Sequence, residues 1–229
     1  MPAIRNSVRP QRLPFAMQIA GLLLALVGYL GAWIPHETAA LTVTGLELAE
    51  FAKFFPQVQG GVVPVTRALF YVPFIAVLTL TVFFVSRSGG RFERWTASLC
   101  AAALVLVTLL PYSVIESARH ALSSGSGFAI DLAYKKQLAL LAVGVMLTLL
   151  VPLARRFSRQ VQSILIVLLA LTGIIPATWQ FVVLRPLVIT LYNSPLGWGW
   201  GLIVCLVGFG LLLLSGVPGI GSKQSAHES

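Results

Sequence analysis

The chain has 229 residues, of which 57% are hydrophobic and 10% charged, with a formal net charge of +9 and a mean hydropathy of +0.89. A water-soluble domain of that composition would expose enough apolar surface to aggregate, so lipid is the expected solvent for most of the chain. Its Lys and Arg residues sit singly, in pairs or in triplets between apolar runs, which excludes a continuous nucleic-acid-binding face and suits topology determinants instead.

Arg5, Arg9 and Arg12 precede an uncharged run over 13–35. That run is long enough to span a bilayer, so it reads as a retained first helix near 14–34 rather than a cleaved signal. Along it, Gly21, Ala25, Gly28 and Ala32 form a small-residue stripe of the kind that lets helix backbones approach closely in lipid.

The first outside loop, 36–66, contains an amphipathic pattern. Thr44 and Glu47 have the spacing of a capping box, Glu47 and Glu50 favour the start of a helix, and Lys53 and Pro56 favour its end. Leu48, Phe51, Ala52 and Phe55 share one face. The expectation is a short helix that lies on the outer membrane surface or caps the bundle, acting as a lid rather than a substrate gate.

Further spans are predicted near 68–86, 96–115 and 137–154. The loop between the last two carries Glu116, Arg119 and His120, with Glu116 and His120 spaced to share a helix face. Together with His36 and Glu37, Glu116 and His120 are the candidates for an outer-face catalytic site. The spacing lacks any His-x-x-x-His or Cys-x-x-Cys signature, so no metal site and no cofactor are expected. The fifth span is predicted near 161–183, with Pro176 either ending or kinking it. Pro186, Asn193, Ser194 and Pro195 should break the chain before a sixth helix near 197–215. A second small-residue stripe, Gly201, Cys205 and Gly208, lies in that last helix. It predicts tight packing against the first stripe or against a partner subunit. Residues 217–229 read as a disordered cytoplasmic tail.

The fold class expected is therefore an all-α integral membrane protein: six helices in one bundle over 1–216, with a short amphipathic helix in the first extracytoplasmic loop. One set of connections holds ten Lys and Arg, among them the triplets Arg87, Arg91, Arg94 and Arg155, Arg156, Arg159; the other set holds six, spread through longer loops. Positive connections stay inside, so both termini are assigned to the cytoplasm of a multi-pass inner-membrane protein. Trp33, Trp179, Trp198 and Trp200 fall near predicted outer helix ends, as an interfacial belt requires.

No acidic, basic or His residue falls mid-span, which disfavours ion-coupled transport by this chain alone. The hydroxyls within spans, Thr79, Thr81, Ser98, Thr108, Thr148, Ser163 and Thr172, are expected to bond back to their own helices. No nucleotide-binding loop is present. The leading expectation is a non-catalytic membrane subunit or accessory scaffold of a larger complex, with the lipid bilayer and other membrane subunits as partners. The alternatives are the membrane component of a transporter energised by a separate ATPase, or a membrane-embedded enzyme using the outer His and Glu residues.

Overall fold

The computed structural model describes residues 12–35, 42–110, 114–116, 119, 132–193 and 197–217. Those residues are almost entirely helical, as a lipid solvent demands. Where water cannot satisfy backbone N–H and C=O groups, only structures that close their own hydrogen bonds survive. The elements in chain order are α1 (Arg12–Leu30), β1 (Ala32–Ile34), β2 (Val43–Thr44), α2 (Leu48–Phe51), a 3-10 turn (Ala52–Phe54) and α3 (Pro56–Gln59). A second 3-10 turn (Arg67–Tyr71) leads into α4 (Val72–Ser88), followed by α5 (Arg91–Leu109), α6 (Leu132–Leu150) and a third 3-10 stretch (Val151–Arg156). The chain then forms α7 (Arg159–Tyr192) and α8 (Trp200–Gly216).

Among the described residues, four helices are long and apolar enough to cross a membrane: Arg67–Ser88, Arg91–Leu109, Tyr134–Arg156 and Arg159–Tyr192. The apolar helices Phe15–Leu30 and Trp200–Gly216 are shorter. α4 lies at the centre, touching α1, α5, α6 and α7, while α1 and α8 form the most extensive helix pair. Among its residues, Ile75, Val77, Thr79, Leu80 and Phe83 are buried.

Several helix boundaries differ from the sequence expectation, each for a local reason. α1 stops at Leu30, and Ala32 enters a short strand antiparallel to β2, so Ala32 belongs to no helical stripe. α5 runs over Arg91–Leu109 rather than 96–115. It starts early because the Glu93 carboxylate accepts the Gly90 N–H at 2.9 Å. It ends early because Leu110 is extended, at φ −72 and ψ 111, as expected for a residue before proline. α6 begins at Leu132 and gives way to 3-10 geometry at Val151, where Pro152 can donate no backbone hydrogen bond.

The largest correction is α7. It continues past 183 through Pro176 and Pro186, since each proline withholds only its own N–H and packing against α4 and α8 supports the rest of the helix. Asn193, at φ 48, ends it in the left-handed conformation that asparagine tolerates. Its 34 residues span about 51 Å at ~1.5 Å per residue, well beyond the ~30 Å hydrocarbon core.

The two small-residue stripes meet each other. A Cβ on Gly28 would lie 2.6 Å from the Cys205 Cα, one on Gly208 would lie 2.7 Å from the Ala25 Cα, and one on Gly201 would lie 2.8 Å from the Ala32 nitrogen. Matching Gly21 with Gly208 and Leu212, and Gly31 with Gly201, makes α1 and α8 antiparallel along their length. Trp33 departs from its companions. Trp179, Trp198 and Trp200 are exposed, but Trp33 is fully buried, its indole N–H donating to the Gly28 carbonyl at 3.1 Å and its ring set edge-on to Phe181.

Candidate functional site

One end of the bundle is closed by the segment between α1 and α4. Thr44 and Glu47 bond reciprocally across the turn before α2, whose N-cap is Glu47 itself: the Thr44 N–H and hydroxyl both donate to the Glu47 carboxylate at 3.0 Å, and the Glu47 N–H donates to the Thr44 hydroxyl at 3.3 Å. This fixes the entry into α2. Leu48, Ala52 and Phe55 are buried in the common core, with Phe51 partly buried beside them. The Phe51 and Phe55 rings meet edge-on at 5.3 Å. The apolar face thus turns down onto the helices, and the helical segment is short, a single α turn tightening into 3-10 geometry before Phe55 becomes extended.

Behind this cap lies an open cleft of about 800 Å³, lined by Lys53, Gln59, Thr66, Arg67, Lys136 and Gln137 among others. Three cations from three chain segments converge here. Lys53 is paired with Glu50, and the Arg67 guanidinium sits 5.9 Å from the centre of the Tyr134 ring. Gln59 donates to the Lys53 carbonyl at 2.6 Å. Thr66 is held in place from across the bundle, its N–H donating to the Gln180 side-chain oxygen at 2.8 Å. The electrostatic character is cationic, suited to an anion.

The sequence candidates distribute differently. His36, Glu37 and His120 lie outside the described residues; Glu116 is described, in a helical stretch, and half-buried. Among the described residues no group of three or more His, Cys, Asp and Glu is placed to hold a metal. Arg185 packs its guanidinium 5.2 Å from the centre of the Trp198 ring.

Sequence reasoning passed over the glutamines, which make several of the ties between elements. Gln137 donates to the Leu109 carbonyl at 2.8 Å, one of the carbonyls left open where α5 ends. Gln162 donates to the Arg155 and Phe157 carbonyls, and Gln180 accepts from Thr66. Ser98 does the same work with its hydroxyl, reaching across to the Thr148 carbonyl at 2.5 Å. Four residues beyond Thr148 stands Pro152, which has no N–H to offer that carbonyl. The available signal was the position of Gln137 and Gln162 at or near the start of uncharged runs; Ser98 and Gln180 carried none. Thr81, Thr148 and Thr172 bond back to their own helices as expected, whereas the Thr79 hydroxyl is buried with no partner.

Comparison with known proteins gives no match to a family model, to a curated protein or to a solved structure.

Proposed function

We propose that this chain is a non-catalytic accessory or scaffold subunit of a larger membrane complex, crossing the cell membrane six times with both termini in the cytoplasm. The six-span reading adds α1 and α8 to the four longer helices. α8, at 17 residues, spans about 26 Å, within a few ångströms of the hydrocarbon thickness, a mismatch that bilayers absorb at small cost. The cytoplasmic assignment rests on the arginine-rich connections and the positive-inside rule.

The observation that carries the functional reading is the exposed small-residue face of α5, since apolar exposure by itself is shared with α1, α7 and α8. Leu99, Leu104, Val107, Val143 and Met146 are all exposed, while the small-residue seam between α1 and α8 is taken up internally. Beside Leu99 and Val107, Cys100 and Ala103 are exposed as well, so α5 offers a face with small side chains to a second membrane helix. Mild-detergent purification of the tagged chain, with a photo-crosslinking residue at Leu99 or Met146, tests this directly. A stoichiometric membrane partner crosslinked through the hairpin is expected. Recovery of the chain alone, with no crosslinked species in its native membrane, overturns the reading. The cationic outer cleft favours one second reading, a component that receives an anionic substrate for a transporter energised elsewhere; co-purification of an ATPase would select it.

A further inference from the structure

Four arginines come together at the other end of the bundle. Arg91 and Arg94, on the first turn of α5, and Arg155 and Arg156, at the end of the 3-10 stretch after α6, line a cleft of about 370 Å³ with Trp95, Pro152 and Leu153. The two pairs lie more than 60 residues apart in sequence, and folding brings them together against their mutual repulsion. Among the described residues none of the four has a carboxylate partner. Glu93, the nearest acid in sequence, spends a carboxylate oxygen on the Gly90 N–H and does not line the cleft. Arg94 is oriented by its own bond from Nε to the Gly90 carbonyl at 3.1 Å. Arg87 and Arg159 add further positive charge at the same end: Arg87 closes α4, its guanidinium 5.8 Å from the centre of the Phe83 ring, and Arg159 opens α7.

The surroundings decide what kind of anion fits. Trp95 and Leu153, in the cleft wall, are 44% exposed each, and Leu99, about one turn after Trp95, and Leu150, about one turn before Leu153, are exposed too. Leu99 follows Trp95 by four residues on α5 and therefore lies on the same helix face. Phe92 and Phe157 are also exposed at this end. A cluster of guanidiniums that opens onto an apolar helix surface, with a tryptophan at the junction, matches an amphiphile whose phosphates sit at headgroup level and whose chains run along the helices.

We propose that this cleft binds the headgroup of an anionic phospholipid, with preference for a lipid carrying two phosphates. Guanidinium forks pair with phosphate oxygens two at a time, so four of them match two phosphates better than one. The inference needs α5 and α6 to lie in a bilayer but is independent of any partner subunit and of which side this end faces.

The test uses the full purified chain in detergent, analysed by native mass spectrometry with added cardiolipin, phosphatidylglycerol, phosphatidylcholine or inorganic phosphate. Cardiolipin is expected to be retained most strongly and phosphatidylcholine least. The double variant Arg155→Gln/Arg156→Gln is expected to lower cardiolipin affinity about 30-fold, the effect of removing two arginines from an anionic headgroup. The charge-matched pair Arg119→Gln/Lys135→Gln, two exposed cations that line neither cleft, should leave that affinity within a few-fold. Arg155 and Arg156 are exposed, so the variant keeps its core, and Arg155→Lys/Arg156→Lys should recover part of the binding. Equal retention of cardiolipin and phosphatidylcholine overturns the proposal, as does unchanged affinity in the glutamine variant. Displacement of the lipid by equimolar inorganic phosphate also overturns it, assigning the cleft to a free anion.

Discussion

Replacing Gly28 by alanine adds one methyl group at the narrowest point between α1 and α8. The added Cβ would lie 2.6 Å from both the Cys205 Cα and the Gly201 carbonyl oxygen. Carbon contacts become favourable only near ~3.5–4.0 Å, so relief requires about 1 Å of separation. The obstructing atoms are backbone, and no rotamer change can supply it. Opening the seam by that much forfeits a quarter to a half of each facing dispersion contact, and strain of this kind typically costs about 1–3 kcal/mol. At ~2–4 °C per kcal/mol for a chain of this size, the thermal midpoint in detergent should fall by roughly 2–12 °C. Gly210, on α8 itself, provides the contrast, because a Cβ there meets nothing within 4 Å. Gly210→Ala should stabilise by about 0.4–1 kcal/mol through the unfolded chain, so the same chemical change has opposite signs at the two positions. A second readout is built into the seam: Cys205 is fully buried, and maleimide should label it in the Gly28→Ala protein but not in the wild type. A Gly28→Ala protein as stable as Gly210→Ala, with Cys205 still protected, would refute the reasoning.

Ser98→Ala should cost more than an average hydrogen bond between membrane helices, which is about 0.6 kcal/mol. It removes the cross-helix donor to a carbonyl that Pro152 cannot serve, and an unsatisfied buried acceptor costs about 1–3 kcal/mol; a thermal shift no larger than that of Thr172→Ala would contradict this. Gln180→Leu leaves the Thr66 N–H without its 2.8 Å acceptor, so deuterium exchange at Thr66 should accelerate by at least tenfold, and retained protection would show that another group takes over. Thr44→Ala removes the two bonds that the Thr44 hydroxyl makes with Glu47 in the turn before α2 and keeps the backbone one, an effect of about 0.5–1.5 kcal/mol per bond lost. Exchange over 44–55 should quicken while the midpoint of the whole bundle changes little, whereas a cooperative loss of the fold would mean that the cap holds more than its own segment.

The sequence by itself determined the solvent and the secondary structure that solvent permits. Long uncharged runs in lipid have no low-energy alternative to the helix, which is why each expected span appears as a helix even where its ends moved. The spacing of Gly21, Ala25 and Gly28 and of Gly201, Cys205 and Gly208 likewise marked close backbone approach, since glycine at helical intervals has no other packing advantage in lipid. The Thr44–Glu47 cap was legible because both halves of the interaction lie within one turn of chain. Only the tertiary structure decided how far the helices run and what they meet. Pro186 alone reads as a terminator, and the neighbours against which α7 continues through it are invisible in its local sequence. The roles of Ser98, Gln137 and Gln180 depend on which open backbone group stands opposite, a relation spanning 28 to 114 residues. The arginine cleft is the clearest case. Charge placement along the chain marks one side of a membrane, but like charges repel, and their convergence on one pocket follows from the packing of α5 against α6.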